Sequence, residues 1–310
     1  MAQSSTGRLR RLPIPFKRAA GHRTLWRDAA RRFFRNRLAI VGLVIVGTFV
    51  FLAITADFIT PYPYDYAFFT KVLLPPFTDP DHLLGTDAVG RDFLSRLIYG
   101  ARTSMLVGIS VQIIAVAIGV PLGGLAGYLG GKTDFFISRL FDIFTAFPGL
   151  LFAIFIISIW GSGMTKVIFV LGITGWIGIS RLVRGQILSL REKEFIEAAR
   201  CLGTKQSRVI YQHLIPNSLT PILVAVSFGI PAAIFGEAAL SFLGLGINDP
   251  IASWGKMVGV STAYLTVYNN TLQGHWHLAF FPTLMIALSM LGFVFVGDGL
   301  RDALDPKLVE

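Results

Sequence analysis

Uncharged apolar runs recur along the chain at lengths near the ~20 residues a helix needs to cross a bilayer. The first is Leu38–Ala56, closed by Asp57 and then by Pro61 and Pro63. Further runs cover Thr103–Gly131, Ile143–Thr165, Val167–Ser180, a stretch from about Ser218 to Leu245 interrupted by Glu237, and Leu278–Gly297. Read as helices, they predict six spans. The fourth is the shortest, its 14 uncharged residues reaching about 21 Å into a ~30 Å core, with Lys166 and Arg181 placed to snorkel from its ends. Glycine is frequent inside the runs, at Gly119, Gly123, Gly124, Gly127, Gly172, Gly175 and Gly178. Small residues there let membrane helices approach closely.

Composition agrees with this pattern and excludes a water-soluble globule: 53% of the 310 residues are hydrophobic and 15% are charged, against about 25% charged in soluble domains. The net charge of +10 sits in one place, since residues 1–37 hold eleven Lys/Arg and one acid, Asp28, while the rest of the chain is balanced. Nucleic-acid binding explains this tail poorly, because no soluble domain carries the charge. Membrane orientation explains it well. With an inside start, the inside segments carry 22 Lys/Arg and the outside segments 6, as the positive-inside rule requires. The tail is too long and basic for a signal peptide and no cleavage site follows it, so the first span reads as an uncleaved anchor with lipid beneath its basic flank. Both termini are expected in the cytoplasm. Cys201, the only cysteine, excludes a disulfide framework and a Cys-rich metal site, and no cofactor is suggested.

Ala126–Thr133, AGYLGGKT, matches a relaxed phosphate-binding loop, but a P-loop needs a buried strand before it, and here a long apolar run precedes. A glycine-rich turn between membrane helices is the better reading. In the longest cytoplasmic loop, at about 189–216, Glu194–Leu202 reads as a short helix with Phe195, Ile196, Ala199 and Leu202 on one face and Gly203 at its stop. Thr204 is placed to cap a second helix running toward Pro216, a residue tolerated in a helix's first turn.

Glu197-Ala198-Ala199, three residues, Gly203, nine residues, then His213-Leu214-Ile215-Pro216 resembles the EAA signature of permease subunits of ATP-binding-cassette (ABC) importers. His213 and Ile215 stand where that signature has isoleucine and leucine. The resemblance implies a coupling helix that sits in a groove of an ATPase subunit. Glu197 would offer it a carboxylate, Ala198 and Ala199 a close approach, and Gly203 the bend.

Two further stretches resemble the peptide and nickel branch of these permeases. One is Leu84-Gly85-Thr86-Asp87 with Gly90-Arg91-Asp92, Ser95-Arg96 and Gly100-Ala101-Arg102-Thr103-Ser104. It is expected as an outer interfacial helix, with Phe93, Leu94, Leu97 and Ile98 opposite Arg91, Asp92 and Arg96. The other is Glu237-Ala238-Ala239-Leu240-Ser241-Phe242-Leu243-Gly244-Leu245-Gly246, followed by Ser253-Trp254-Gly255. A charge at mid-bilayer costs about 2.5–3.5 kcal/mol on insertion scales, so Glu237 should face protein or a wet cavity, as a pathway or gate residue, unless it lies at the outer interface. Arg139 with Asp142, and Asp298 with Arg301, are spaced to pair. His275 and His277 flank Trp276, an aromatic interface anchor rather than a metal site.

The expected protein is an all-α integral membrane permease of six transmembrane helices with the type I ABC importer fold, in a prokaryotic cytoplasmic membrane. Its expected parts are a basic tail (1–37), a first span with an outer amphipathic segment (38–102), a five-span permease domain (103–302) and a C-terminal cytoplasmic end (303–310). The resemblance implies a second homologous permease, two cytoplasmic ATPases and an external solute-binding protein, with no catalysis by this chain. Dipeptides, oligopeptides, nickel chelates and some sugars stay open as solutes. A secondary transporter would carry paired mid-bilayer carboxylates, which are scarce. A membrane enzyme would need a nucleophile with a base, and Ser110 and Ser289 have no evident His or Asp partner.

Overall fold

The computed structural model describes residues 25–201, 203–264 and 275–304. Most of the basic tail, Leu202, the outer loop around Asn269 and the chain from residue 305, Lys307 included, lie outside the described residues. All regular structure among the described residues is helical. A short basic helix α1 (Leu25–Phe33) precedes α2 (Arg37–Ile59), which Asn36 caps by accepting from the amides of Leu38 and Ala39. Then come α3 (Phe93–Leu129), α4 (Gly131–Thr145), α5 (Gly149–Trp160) and α6 (Met164–Leu190). Five helices, α2, α3, α6 and the later α10 (Leu219–Phe242) and α12 (His277–Leu304), are long and apolar enough to cross a membrane. The pair α4 and α5, bent by 79°, is apolar enough when taken together, and counted as one span it brings the number to six.

Three predicted boundaries change. The third span was expected as one helix over Ile143–Thr165. It is instead built of α4 and α5, broken at Pro148, whose missing N–H cannot continue the ladder. The short fourth span is in fact 27 residues long, because Arg181 and Arg184 do not end it. Val183 and Ile187, past Arg181, are fully buried, and the Arg184 guanidinium between them is paired with Asp134. The outer interfacial segment is the first part of α3, a helix of 37 residues and so about 55 Å. Its polar residues are enclosed rather than set at a lipid surface: Asp92 and Arg96 are 1% and 2% exposed.

The glycine run has a packing role between α3 and α6. A Cβ at Gly119, Gly123 or Gly127 would press on the carbonyl oxygens of Trp176, Ser180 and Arg184 respectively, so the two backbones lie in direct contact. Outward faces stay apolar, with Val44, Phe51 and Ile54 of α2 exposed, as lipid contact requires. The AGYLGGKT stretch is a turn between α3 and α4 with Gly130 and Gly131 at φ of 64° and 51°. Helix α3 runs up to Leu129 directly before it, so the buried strand of a phosphate-binding loop is missing there. Arg139 and Asp142 pair at 3.2 Å. Asp298 and Arg301 form no ion pair among the described residues; the carboxylate near them that is engaged is Asp302, which accepts from Asn36 at 3.3 Å.

Candidate functional site

Helix α6 leads through three residues into α7 (Glu194–Cys201), the first helix of the long loop before α10. Ile196 on α7 is fully buried while Glu197 is exposed, so the helix is held by one side and presents the carboxylate on another. The anchor is shared. Ile196, Val209, Ile210 and Leu214 join one buried cluster with Tyr128 of α3, Ile187 of α6 and Ile222 of α10. Ala198 and Ala199 lie in α7 and His213 in the later turn; their side chains, and those of Phe195 and Leu202, are outside the described residues. Gly203 stands at φ 71° with open space around its Cβ direction. This is the left-handed backbone in which helices commonly stop and which glycine alone adopts without penalty.

The chain then restarts at α8 (Gln206–Val209), one residue later than a Thr204 cap would require. It widens into a π turn over Ile210–Leu214, where the Ile215 amide reaches back to the Ile210 carbonyl, and continues in α9 (Ile215–Asn217). Pro216, exposed, sits in the first turn of α9. Its ring would clash with the carbonyl four residues earlier in a regular helix, which accounts for the widened turn before it. Nothing in the sequence pattern pointed to that π turn.

The bent span is tied to the same end of α6. Arg184 donates from Nε and Nη2 to the two Asp134 carboxylate oxygens at 2.5 and 2.6 Å, near the start of α4. Arg181 donates to Thr145 Oγ1 at 3.2 Å, at the end of α4. The last turns of α6, which lead into α7, thus hold both ends of α4.

On the opposite side, the two stretches of the peptide and nickel branch meet. Helix α11 (Trp254–Ser261) follows α10 through a loop, and Trp254, fully buried, donates from its indole to the Leu97 carbonyl at 2.9 Å. Gly100 makes room for it, since a Cβ there would lie 2.5 Å from the indole ring. Asp92 caps α3 through the Ser95 amide at 2.8 Å and bonds His82 Nδ1 at 3.0 Å. Arg96 donates to the Tyr64 and Pro250 carbonyls at 2.9 and 3.3 Å. In the loop before α3, Lys71 lies 2.7 Å from Asp79; that hydrogen bond holds the Asp79 carboxyl below its ordinary range.

Glu237 belongs to this assembly. Its side chain is 0% exposed, and Oε1 accepts from the hydroxyls of Ser241 and Ser253, each at 2.6 Å. Ser241 Oγ also accepts from the Ile247 amide at 3.1 Å. The carboxyl therefore joins the end of α10 to the start of α11. Two neighbouring hydroxyls and the α10–α11 contact enclose its Oε1 in this chain. At the start of α12, His277 is buried against Phe93 and Trp276 is half exposed beside Phe280 and Phe281. Among the described residues no group of three or more His, Cys, Asp or Glu is placed to hold a metal.

Comparison with known proteins bears directly on these features. Residues 119–310 match the family described as binding-protein-dependent transport system inner membrane component. Residues 24–76 match the N-terminal TM domain of oligopeptide transport permease C. The oligopeptide transport system permease protein OppC of Bacillus subtilis is 42% identical over 92% of this chain and 90% of its own. The dipeptide transport system permease protein DppC of the same organism is 42% identical over 91% and 85%. The glutathione transport system permease protein GsiD of Pectobacterium atrosepticum is 38% identical over 95% of each. In three dimensions the chain resembles an inward-facing structure of the MetNI methionine ABC transporter, with a TM-score of 0.55 and 20% identity over 68% of this chain and 97% of that one. That likeness speaks for the fold. With the EAA pattern on a helix anchored at the ends of three spans, this multi-pass chain belongs to the family of binding-protein-dependent inner membrane components, the permease subunits of ABC importers.

Proposed function

We propose that this chain is one of two homologous permeases in an importer of di- or oligopeptides, with ATP hydrolysis performed by two cytoplasmic ATPase subunits and solute delivered by an external binding protein. The observation that carries the reading is α7 itself. It is fixed to the membrane helices through Ile196 and leaves Glu197 free, which is what a rigid lever between a separate subunit and the spans needs. In this reading Glu197, Ala198 and Ala199 contact the ATPase, Gly203 sets the bend, and His213, Ile215 and Pro216 return the chain to α10. The chain performs no covalent chemistry and holds no cofactor. Relatives named for oligopeptides and dipeptides support the solute class. ATP-dependent uptake of tri-alanine by vesicles holding the full assembly, lost when this chain is omitted, tests the proposal; uptake without it would refute it.

The charge bias supports cytoplasmic termini. In a chain with Cys201 replaced by serine, cysteines at Ser4 and Lys307 are expected to react with an impermeant thiol reagent from the cytoplasmic side only, and one at Asp79 from outside only. Labelling of both termini from outside would invert the topology.

The α6–α4 clamp supports a route for the stroke from α7 to the bent span. Asp134→Ala is expected to lower peptide uptake severalfold while ATPase binding persists. Combining Asp134→Arg with Arg184→Asp should restore most of it, because a bidentate carboxylate–guanidinium pair is regained in reverse. Uptake by single and double variants checks this, and a double variant no better than the singles would count against the clamp.

A further inference from the structure

A cavity of ~570 Å³ opens between α3, α5, α6 and α10. Its walls are apolar or glycine, and among the described residues no charged side chain lines it. Gln112, near the middle of α3, and Thr174 of α6 are the polar side chains in the lining. They differ in one respect. Thr174 Oγ1 bonds the Val170 and Leu171 carbonyls of its own helix at 3.1 and 3.0 Å. Gln112 is 8% exposed and makes no hydrogen bond among the described residues. The amide keeps surface toward the cavity, so its donor and acceptor are left for whatever fills that space.

The local sequence is arranged around that amide. Opposite it on α10 stands Gly229, where a Cβ would overlap the Gln112 side-chain amide. Two residues further, Pro231 lies inside α10 and leaves the Ser227 carbonyl without its helical donor. Gly178 of α6 faces the cavity with nothing within 4 Å of its Cβ direction, so a side chain placed there would enter the open space.

Resting on the peptide reading above, we infer that this cavity is the subunit's peptide-binding site, with Gln112 as the group that engages the peptide backbone and the Gly178 region as the limit on side-chain size. The chemistry is matched. A carboxamide donates and accepts at once, as each peptide unit does. Glycine walls leave room for large side chains.

The test uses the full assembly in vesicles with saturating peptide-loaded binding protein, and two probes, tri-alanine and Ala-Trp-Ala. Gln112→Leu is expected to lower uptake of both at least tenfold, with ATPase copurification retained, and Gln112→Asn to recover part of it. Gly178→Leu is expected to reduce Ala-Trp-Ala uptake at least fivefold more than tri-alanine uptake. If the wild-type assembly carries peptides and Gln112→Leu and Gly178→Leu carry both probes at wild-type rates, the site assignment falls alone. Equal reduction of both probes by Gly178→Leu removes the size limit. If the wild-type assembly carries neither probe, the peptide reading falls and the site with it.

Discussion

Replacing Gly203 by valine is expected to abolish copurification of the ATPases and to reduce coupled uptake by more than tenfold, while the permease still inserts and still binds its partner permease. The cause is confined to the backbone. Gly203 sits at φ 71° with open space beyond its Cβ direction, so valine meets no clash with a neighbour, only the left-handed conformation itself. A non-glycine residue there costs about 1–2 kcal/mol, and a β-branched one is an outright outlier. Extending or re-angling the α7–α8 connection relieves that strain at little expense, because Gly203 and its neighbour Lys205 are exposed. The helix carrying Glu197 then leaves its seat. Asparagine, which tolerates this region best among larger residues, should retain most binding, and that graded order, glycine then asparagine then valine, separates a backbone effect from a loss of contact. Glu197→Ala should be milder, since it removes a charge-assisted contact of about 1.5–3 kcal/mol and leaves the helix in place. Affinity purification through the ATPase subunit, with uptake measured on the same preparations, reads all three.

The second large effect is expected at Glu237. Replacing it by alanine strands two buried hydroxyls, Ser241 and Ser253, that now donate to one oxygen at 2.6 Å. Each unmet buried group costs about 1–3 kcal/mol, so the join between α10 and α11 should weaken by on the order of 2–5 kcal/mol. The thermal midpoint of the purified assembly should then fall by about 5 °C or more. Glu237→Gln keeps an oxygen at the same place and should stay within about 1 °C of wild type, with uptake preserved. A scanning fluorescence melt of the three proteins decides it. Loss of uptake in Glu237→Gln at unchanged stability would instead make the carboxyl part of the transport path.

Much of this architecture is legible in the residues because bilayer length and charge asymmetry act on whole segments. The positions of α2, α10 and α12 follow from apolar runs alone, and the EAA spacing locates α7 and its bend because a helix stop at positive φ is written as glycine. What stayed hidden depends on contacts between distant segments. The extension of α6 past Arg181 requires Asp134, 50 residues earlier, to accept the next arginine. The enclosure of Arg96 in the segment before the second span was hidden too, because it finds carbonyls at Tyr64 and Pro250, partners that no helical wheel displays. The break at Pro148 was visible as a proline but masked by apolar residues on both sides. Gln112 went unnoticed for the same reason: one amide inside an apolar run has no signal until the cavity around it is seen.

The central claim is that ATP-driven force enters this chain at α7, and the most direct measurement is a cross-link. A photoreactive amino acid placed at Glu197 in the full assembly should capture an ATPase subunit, with a yield that changes between nucleotide-free and ATP-bound preparations, and the same probe at Asp79 should capture none. Capture of lipid alone from position 197, or an equal ATPase yield from positions 197 and 79, would contradict the account.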